Sequence, residues 1–257
     1  MAIRTLTVTR TRLLSPHLKR ITLGGQELAD FPVRAESGYV KVLFDPTGKL
    51  PVDERSSKGA IKRSFTVRAF RARDLELDID FVIHGDSGPA SAWAESAGKD
   101  DILSLTGPGP TKLADPSSDW FCFLGDLSAL PAIAVNLELL PINSKGMVFL
   151  EAPSRDDCID LEKPPEIKVE WVINSNPELP SIELFNKLKN MKWLDGAPFI
   201  WVAGEFGLMR SSRKFLKSHK AFVRGTYVSS YWKIDSTQEE MKKAKALEAL
   251  KSKLHIN

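Results

Sequence analysis

The hydrophobic periodicity of this chain changes near residues 113–119, and that change limits the fold more than any single motif. Upstream of it the apolar residues alternate. In "LELDIDFVIH" (75–84), Leu75, Leu77, Ile79, Phe81 and Ile83 share one face of a strand, while Glu76, Asp78, Asp80, Val82 and His84 share the other. The first face is core, and the second is expected to be free for another purpose. The runs "IRTLTVTRTRL", "LKRITLGG", "YVKVLF", "RSFTVRAF" and "ILSLTG" are also strand-like, with Gly-, Pro- and Asp-rich turns between them and little room for helices. Such a series predicts an antiparallel barrel or sandwich.

Downstream of "LADPSSD" (113–119) the runs are continuous: "WFCFLG", "MVFLEA", "KVEWVIN", "PFIWVAG" and "GTYVSSYW". They are spaced widely enough for intervening helices, and helices are predicted over 128–140, with Pro131 near its start, and over 183–191 and 206–218. Strands buried on both faces and alternating with helices imply a doubly wound parallel sheet. In the closing segment "STQEEMKKAKALEALKSKL", Ser236 or Thr237 can cap a helix with early glutamates and late lysines. The predicted organisation is a β-barrel domain over 1–115, an α/β domain over 119–235 and a C-terminal helical extension over 236–257.

Composition narrows the function. With 42% hydrophobic and 27% charged residues the chain reads as a globular protein. No apolar run approaches the roughly 20 residues that span a bilayer, and no secretory leader is recognisable, so a cytoplasmic location is expected. Two isolated cysteines, Cys122 and Cys158, and four dispersed histidines make a protein-held metal centre a poor expectation. Redox chemistry would then fall to an organic cofactor. The net charge of +3 is uneven: residues 210–257 carry 12 Lys+Arg against 4 Asp+Glu. Most of those lysines are expected on a solvated helix face, although a basic end also suits an acidic partner.

Two stretches carry candidate chemistry. In "RSFT", Arg63 and Phe65 point to one side of a strand and Ser64 and Thr66 to the other. Arg63 can meet a phosphate, Phe65 can pack on a flat ring, and the Thr66 hydroxyl or amide can approach the reactive edge of a flavin. An ordinary charged edge strand would read the same way. In "FVIHGDSGPASAWAESA", Gly85, Gly88 and Pro89 break the strand and a short helix starts at 88–90, where free N–H groups favour a diphosphate. A helix that simply covers the barrel end is the alternative.

With "ITLGGQELADF", "YVKVLF", "GPGPTK", "GDLSALPAIAVNLELLP", "WVAGE" and "RGTYVSSYWK", these stretches make the chain resemble the siderophore-interacting proteins, the FAD-dependent ferric-siderophore reductase family. The resemblance implies a ferredoxin-reductase-like fold, with FAD on an antiparallel barrel and NADH or NADPH on the α/β domain. It assigns Arg63, Ser64, Phe65 and Thr66 to the flavin, with Thr66 as the catalytic contact. Gly88, Ala90 and Ser91 fall to the diphosphate, and Asp80, Val82 and His84 lie along the cofactor's strand. Many members carry Tyr where this chain has Phe65, so a phenol hydrogen bond is lost here. Gly125, Asp126, Ser128, Ala129, Gly204 and Glu205 are implied for the nicotinamide cofactor, although the chain has no GxGxxG. Glu151, ending a strand, would favour a ribose hydroxyl and so NADH; Arg155 argues the other way. Lys41, Lys112 and Lys233 are expected to line a pocket for an anionic ferric siderophore. The implied reaction carries electrons from NAD(P)H, or from ferredoxin as an alternative donor, through flavin to Fe(III). The protein is expected to be a monomer that binds neither nucleic acid nor membrane. A flavin reductase with a protein or free-flavin acceptor, and a non-catalytic siderophore carrier, are the competing readings.

Overall fold

The computed structural model describes residues 2–47, 51–53, 56–84, 88–218, 226–234, 240 and 243–248. The first half folds into seven strands: β1 (Ile3–Ser15), β2 (Leu18–Gly24), β3 (Tyr39–Phe44), β4 (Ile61–Thr66), β5 (Ala69–Arg71), β6 (Glu76–Val82) and β7 (Ile102–Thr106). One helix, α1 (Pro89–Ser96), precedes β7. The strand order is β4-β3-β7-β1-β2-β6-β5 and every pairing is antiparallel. The two ends of that order, β4 and β5, are consecutive in the chain. The stretch "RSFTVRAF", read from sequence as one strand, is therefore two strands joined by a corner. Val67 N–H still bonds Gly38 O on the β3 side, whereas Arg68 N–H bonds Asp78 O on β6. Changing partners at this corner closes the sheet into a barrel.

The barrel core is made by alternating residues, among them Leu77, Ile79 and Phe81 of β6, all fully buried. The opposite face of β6 is not free, which corrects the expectation from sequence. Strands β1, β2 and β5 supply a guanidinium or hydroxyl for each acid. Arg20 is bidentate on Asp80 at 2.6 and 2.8 Å. Arg71 is bidentate on Asp78 at 2.7 Å, where Thr22 also donates, and Arg10 is bidentate on Glu76 at 2.8 and 2.9 Å.

The second half is a five-stranded parallel sheet: β8 (Trp120–Asp126), β9 (Gly146–Ala152), β10 (Ile167–Ile173), β11 (Pro198–Glu205) and β12 (Tyr227–Trp232), in the order β10-β9-β8-β11-β12. Alternate residues of β8 face two different cores. Phe121 and Phe123 pack beneath α2 (Leu130–Leu139). Trp120, Cys122 and Leu124 pack with residues of α3 (Ile182–Asn190) and α4 (Phe206–Ser218). Burial pushes the Cys122 thiol up to about 12, which makes it an inert packing group.

A parallel connection usually crosses over through a helix. Between β9 and β10 the chain makes only a 3-10 turn, Arg155–Asp157, with Pro153, Pro164 and Pro165 around it. The face a helix would cover is shared with the tip of the β1–β2 hairpin. Leu14, Leu18 and Val82 pack there with Cys158, Ile159 and Leu161, and Leu18 is 1% exposed. Val82, assigned from sequence to the cofactor's strand, is thus a contact between the halves. Asp157, 0% exposed, fastens the seam by accepting hydrogen bonds from Ser15 Oγ (2.8 Å), His17 N–H (2.9 Å) and Ser154 Oγ (2.7 Å), with His17 Nδ1 at 2.8 Å.

Arg68 forms a bidentate ion pair with Glu138 of α2, one contact being 3.0 Å. Asn136 of α2 binds the segment joining the halves, accepting Ala114 N–H at 2.7 Å and donating to Lys112 O at 3.2 Å. Within the predicted C-terminal extension, residues 243–248 are helical, while the capping candidates Ser236 and Thr237 lie outside the described residues. No helix among the described residues is long and apolar enough to cross a membrane.

Candidate functional site

Strand β4 carries the "RSFT" residues on two faces. The register sets Phe65 opposite Val40 and Arg63 opposite Val42, both barrel-core residues, so Arg63 and Phe65 lie on the inner face. Ser64 opposite Lys41 and Thr66 opposite Tyr39 lie on the outer one. Phe65 is half-buried, its ring 4.3 Å from that of Phe81, which stands 5.6 Å from Trp93 of α1. This aromatic run joins β4 to α1 as one wall.

Arg63 is the unusual residue of that wall. Its one side-chain bond is to the neighbouring Lys62 carbonyl, at 3.2 Å, and it has no carboxylate partner among the described residues. Burial pulls its pKa down. Every other half-buried guanidinium named so far has an acid beside it. A desolvated cation without a counter-ion is costly, and an anionic ligand would relieve it.

Helix α1 supplies the complementary feature. No side chain caps its start at Gly88, and Pro89 occupies the first turn. A Cβ at Gly88 would meet nothing within 4 Å and the backbone there is extended, so neither packing nor conformation demands glycine. Ser91 is buried, and its Oγ accepts His84 N–H at 2.9 Å, tying the end of β6 to the helix. At the other end, Lys19 Nζ donates to Glu95 O (3.1 Å) and Ala97 O (2.9 Å). The helix is thus held by Ser91 and Lys19 with its first amides, those of Ala90 and Ser91, uncapped among the described residues. Gly85 lies outside the described residues. An orphaned guanidinium, a half-buried aromatic ring and an uncapped helix fit the diphosphate and ring of a flavin dinucleotide.

At the C-terminal edge of the parallel sheet, Gly125, Asp126, Ser128, Ala129, Gly204 and Glu205 do come together, but they bind one another. Asp126 accepts Ser128 N–H (2.9 Å), Ser128 Oγ, Glu205 N–H (3.1 Å) and Trp232 Nε1–H (2.7 Å). Burial raises its pKa against those donors. Gly204 has φ +144°, and a Cβ there would stand 2.5 Å from the Asp126 carboxylate; at Gly125 it would stand 2.7 Å from the Ala129 Cβ. Glu205 caps α4 through Gly207 N–H and Leu208 N–H. Glu151 is buried, its pKa raised by that burial, and it accepts Ser181 Oγ at 2.8 Å and Asn174 Nδ2 at 3.2 Å. Both donors meet Oε1, so Ser181 and Asn174 fix the carboxylate's position at the end of β9.

The candidate sites are thus a wall on the antiparallel barrel and the C-terminal edge of the parallel sheet. Residues 7–112 match the family model of the siderophore-interacting FAD-binding domain, and residues 118–235 match that of the siderophore-interacting protein. The chain belongs to the siderophore-interacting protein family. Ferric vibriobactin reductase ViuB of Vibrio cholerae is 34% identical over 249 residues, covering 92% of this chain and 91% of the relative. The NADPH-dependent ferric-chelate reductase of Escherichia coli is 27% identical, covering 89% and 92%. Among solved structures, the siderophore-interacting protein SipS from Aeromonas hydrophila superposes with a TM-score of 0.85 at 33% identity, covering 94% of this chain and 96% of that one. A ferredoxin NADP+ reductase from Neisseria gonorrhoeae shares the fold, with a TM-score of 0.64 at 13% identity, covering 90% and 100%.

In this siderophore-interacting protein the three lysines read as a substrate lining stand on different elements, with Lys112 and Lys233 towards opposite ends of β12. Lys41 stands on the outer face of β3, across from Ser64 and Thr106. The Lys112 ammonium lies 5.9 Å from the Tyr227 ring centroid, at the start of β12. Lys233 follows the far end of that strand, about 20 Å further at the usual strand rise. Sequence reasoning missed Lys19 and Asp157, which hold the site's helix and the seam between the halves. A hint for Lys19 was its place beside the short helix's C-terminal carbonyls, visible only once strands are paired. No local pattern marks Asp157.

Proposed function

We propose that this protein is an FAD-dependent reductase that takes electrons from reduced nicotinamide dinucleotide and delivers them to ferric siderophores, releasing iron as Fe(II). The observation that carries this reading is the half-buried Arg63 with no carboxylate partner among the described residues, on the same wall as the uncapped start of α1. The names of its ferric vibriobactin and ferric-chelate reductase relatives support the substrate class. When bound, FAD accepts two electrons as a hydride and gives them up singly, which suits an Fe(III) acceptor.

The chain's own contribution is binding and positioning. Arg63 and the amides of Ala90 and Ser91 hold the diphosphate, while Gly88 leaves open space beside it. Phe65 offers an aromatic surface backed by Phe81. Thr66, 9% exposed, is proposed to meet the reactive edge of the ring, with Ser64 and Lys41 on the same face. Lys41 is the cation nearest in register to these residues, and it is proposed as the contact for an anionic chelate. Asp80 and Val82 act behind the site through Arg20 and the seam. Iron arrives inside its own chelator, so protein ligands are not needed. The demand for reduced nicotinamide supports the cytoplasm as the place of action.

The test is anaerobic. Protein loaded with FAD should be bleached by NADPH or NADH, then reoxidised by a ferric catecholate, yielding two Fe(II) per donor in a chromogenic Fe(II) trap. Failure to take up FAD would leave only a carrier. Reduced flavin that persists with the ferric chelate yet reacts with free flavin would shift the assignment to a flavin reductase.

A further inference from the structure

In open parallel sheets a dinucleotide's diphosphate lies against free N–H groups where a strand turns into a helix. This chain has two such turns at the C-terminal edge, β8 into α2 and β11 into α4, and a buried acid of its own stands at each, bound to amides of the turn before α2 and of the first turn of α4. Asp126 takes the Ser128 amide and also the Glu205 amide and the Trp232 indole. Glu205 takes the Gly207 and Leu208 amides that open α4. Neither can step aside cheaply. Asp126 is 8% exposed and Glu205 4%, and the Asp126 carboxylate is packed against the Gly204 backbone. Glu151, also buried, adds a third acid that feels both of them. A diphosphate at this edge would meet buried acids, with the Ser128, Gly207 and Leu208 amides already engaged.

We infer that Asp126 and Glu205 close this edge to the ADP half of the electron donor, so that the protein reads the donor by its nicotinamide half alone. This rests on the reading that a reduced nicotinamide is the donor. The chemistry permits it. The hydride leaves C4 of the dihydropyridine with both electrons of its bond, leaving a pyridinium, whatever the ring nitrogen carries. Bound flavin would take up that hydride, and a proton from water would complete its reduced form.

The experiment compares donors on one preparation of FAD-loaded protein without oxygen: NADPH, NADH, reduced nicotinamide mononucleotide and 1-benzyl-1,4-dihydronicotinamide. Each rate constant for flavin bleaching is divided by that donor's rate with free FAD. The normalised values are expected to agree within about tenfold, since no remote binding energy is drawn from the ADP half. ADP-ribose and 2′,5′-ADP, titrated calorimetrically into FAD-loaded and flavin-free protein, are expected to give no saturable heat at millimolar concentration. A truncated donor slower by about a hundredfold or more, or micromolar binding of either ADP fragment, overturns the inference. If all four donors leave the flavin oxidised while dithionite bleaches it, the donor reading itself falls and takes the inference with it. The variant Glu205→Ala, which frees the Gly207 and Leu208 amides, is expected to gain measurable ADP-ribose binding. Should it not fold, the donor comparison on the unaltered protein decides alone.

Discussion

Arg63 and Asp126 sit in opposite electrostatic situations, and the contrast tells which residues act outward. Among the described residues Arg63 is a cation without an acid, while Asp126 is an acid surrounded by four donors. Replacing a desolvated cation that has no partner removes a cost from the flavin-free protein and a contact from the loaded one. Arg63→Met should therefore raise the FAD dissociation constant by roughly tenfold to a hundredfold, the usual worth of a hydrogen bond to a charged group. The melting temperature of the flavin-free form should hold steady or rise. Fluorescence titration and calorimetry check the two halves of this expectation, and a fall in flavin-free stability would mean that Arg63 serves the fold. At this scale the sequence was a partial guide. "RSFT" announced a strand with a charged border, and alternation placed Arg63 with Phe65. It could not show that Glu151, Asp126 and Glu205 are consumed by Ser181, Trp232 and α4, because those partners are brought in by strand pairing.

Among the elements, α1 shows how a short helix is made dependable. Eight residues are marginal alone, and tertiary anchors at both ends hold this one: Ser91 to the His84 amide, and Lys19 to the last carbonyls. A cation at a helix C-terminus contributes about 0.3–1 kcal/mol. Lys19→Met should lower flavin-free stability by about that much and loosen FAD several-fold, with Lys19→Arg restoring both. A variant that loses stability and keeps full FAD affinity would confine Lys19 to the fold. Element type was readable where periodicity is strong: α4 spans 206–218 as predicted, and β6 has the predicted core face. The corner between β4 and β5 was not readable, because Val67 and Arg68 suit a strand and only their change of partner breaks it. The turn between β9 and β10 was also hidden, since its packing partner is a hairpin at the other end of the sequence.

For the molecule as a whole, the two halves are joined by more than the connecting segment. Arg68–Glu138, Asn136 on the linker backbone and the Asp157 cluster tie barrel to sheet at three places. Burial alone would raise the Asp157 carboxyl, but donors from Ser154, His17 and Ser15 outweigh it and hold it below the ordinary range. A carboxyl depressed by folding contributes stability that is complete above its unfolded value, about 3.9, and is lost as pH falls through the lower folded value. Acid unfolding should thus steepen below about pH 4, and Asp157→Asn should flatten that limb while lowering stability at neutral pH. Equilibrium denaturation at several pH values checks this, and parallel curves for the two proteins would remove Asp157 from the seam.

The seam also sets a schedule. Ser15 and Asp157 are separated by 142 positions in the chain. On a ribosome adding roughly 5–20 residues per second, the hairpin tip emerges roughly 7–30 s before the residues that receive it. From the synthesis of Val82 until residues 158–161 follow, Leu14, Leu18 and Val82 lack their partners from the second half, and the nascent barrel carries a sticky corner. Slow codons between the halves would lengthen that exposure, and a holdase that shields short apolar tips would find its natural client here, in a half-made protein whose barrel strands have all been synthesised.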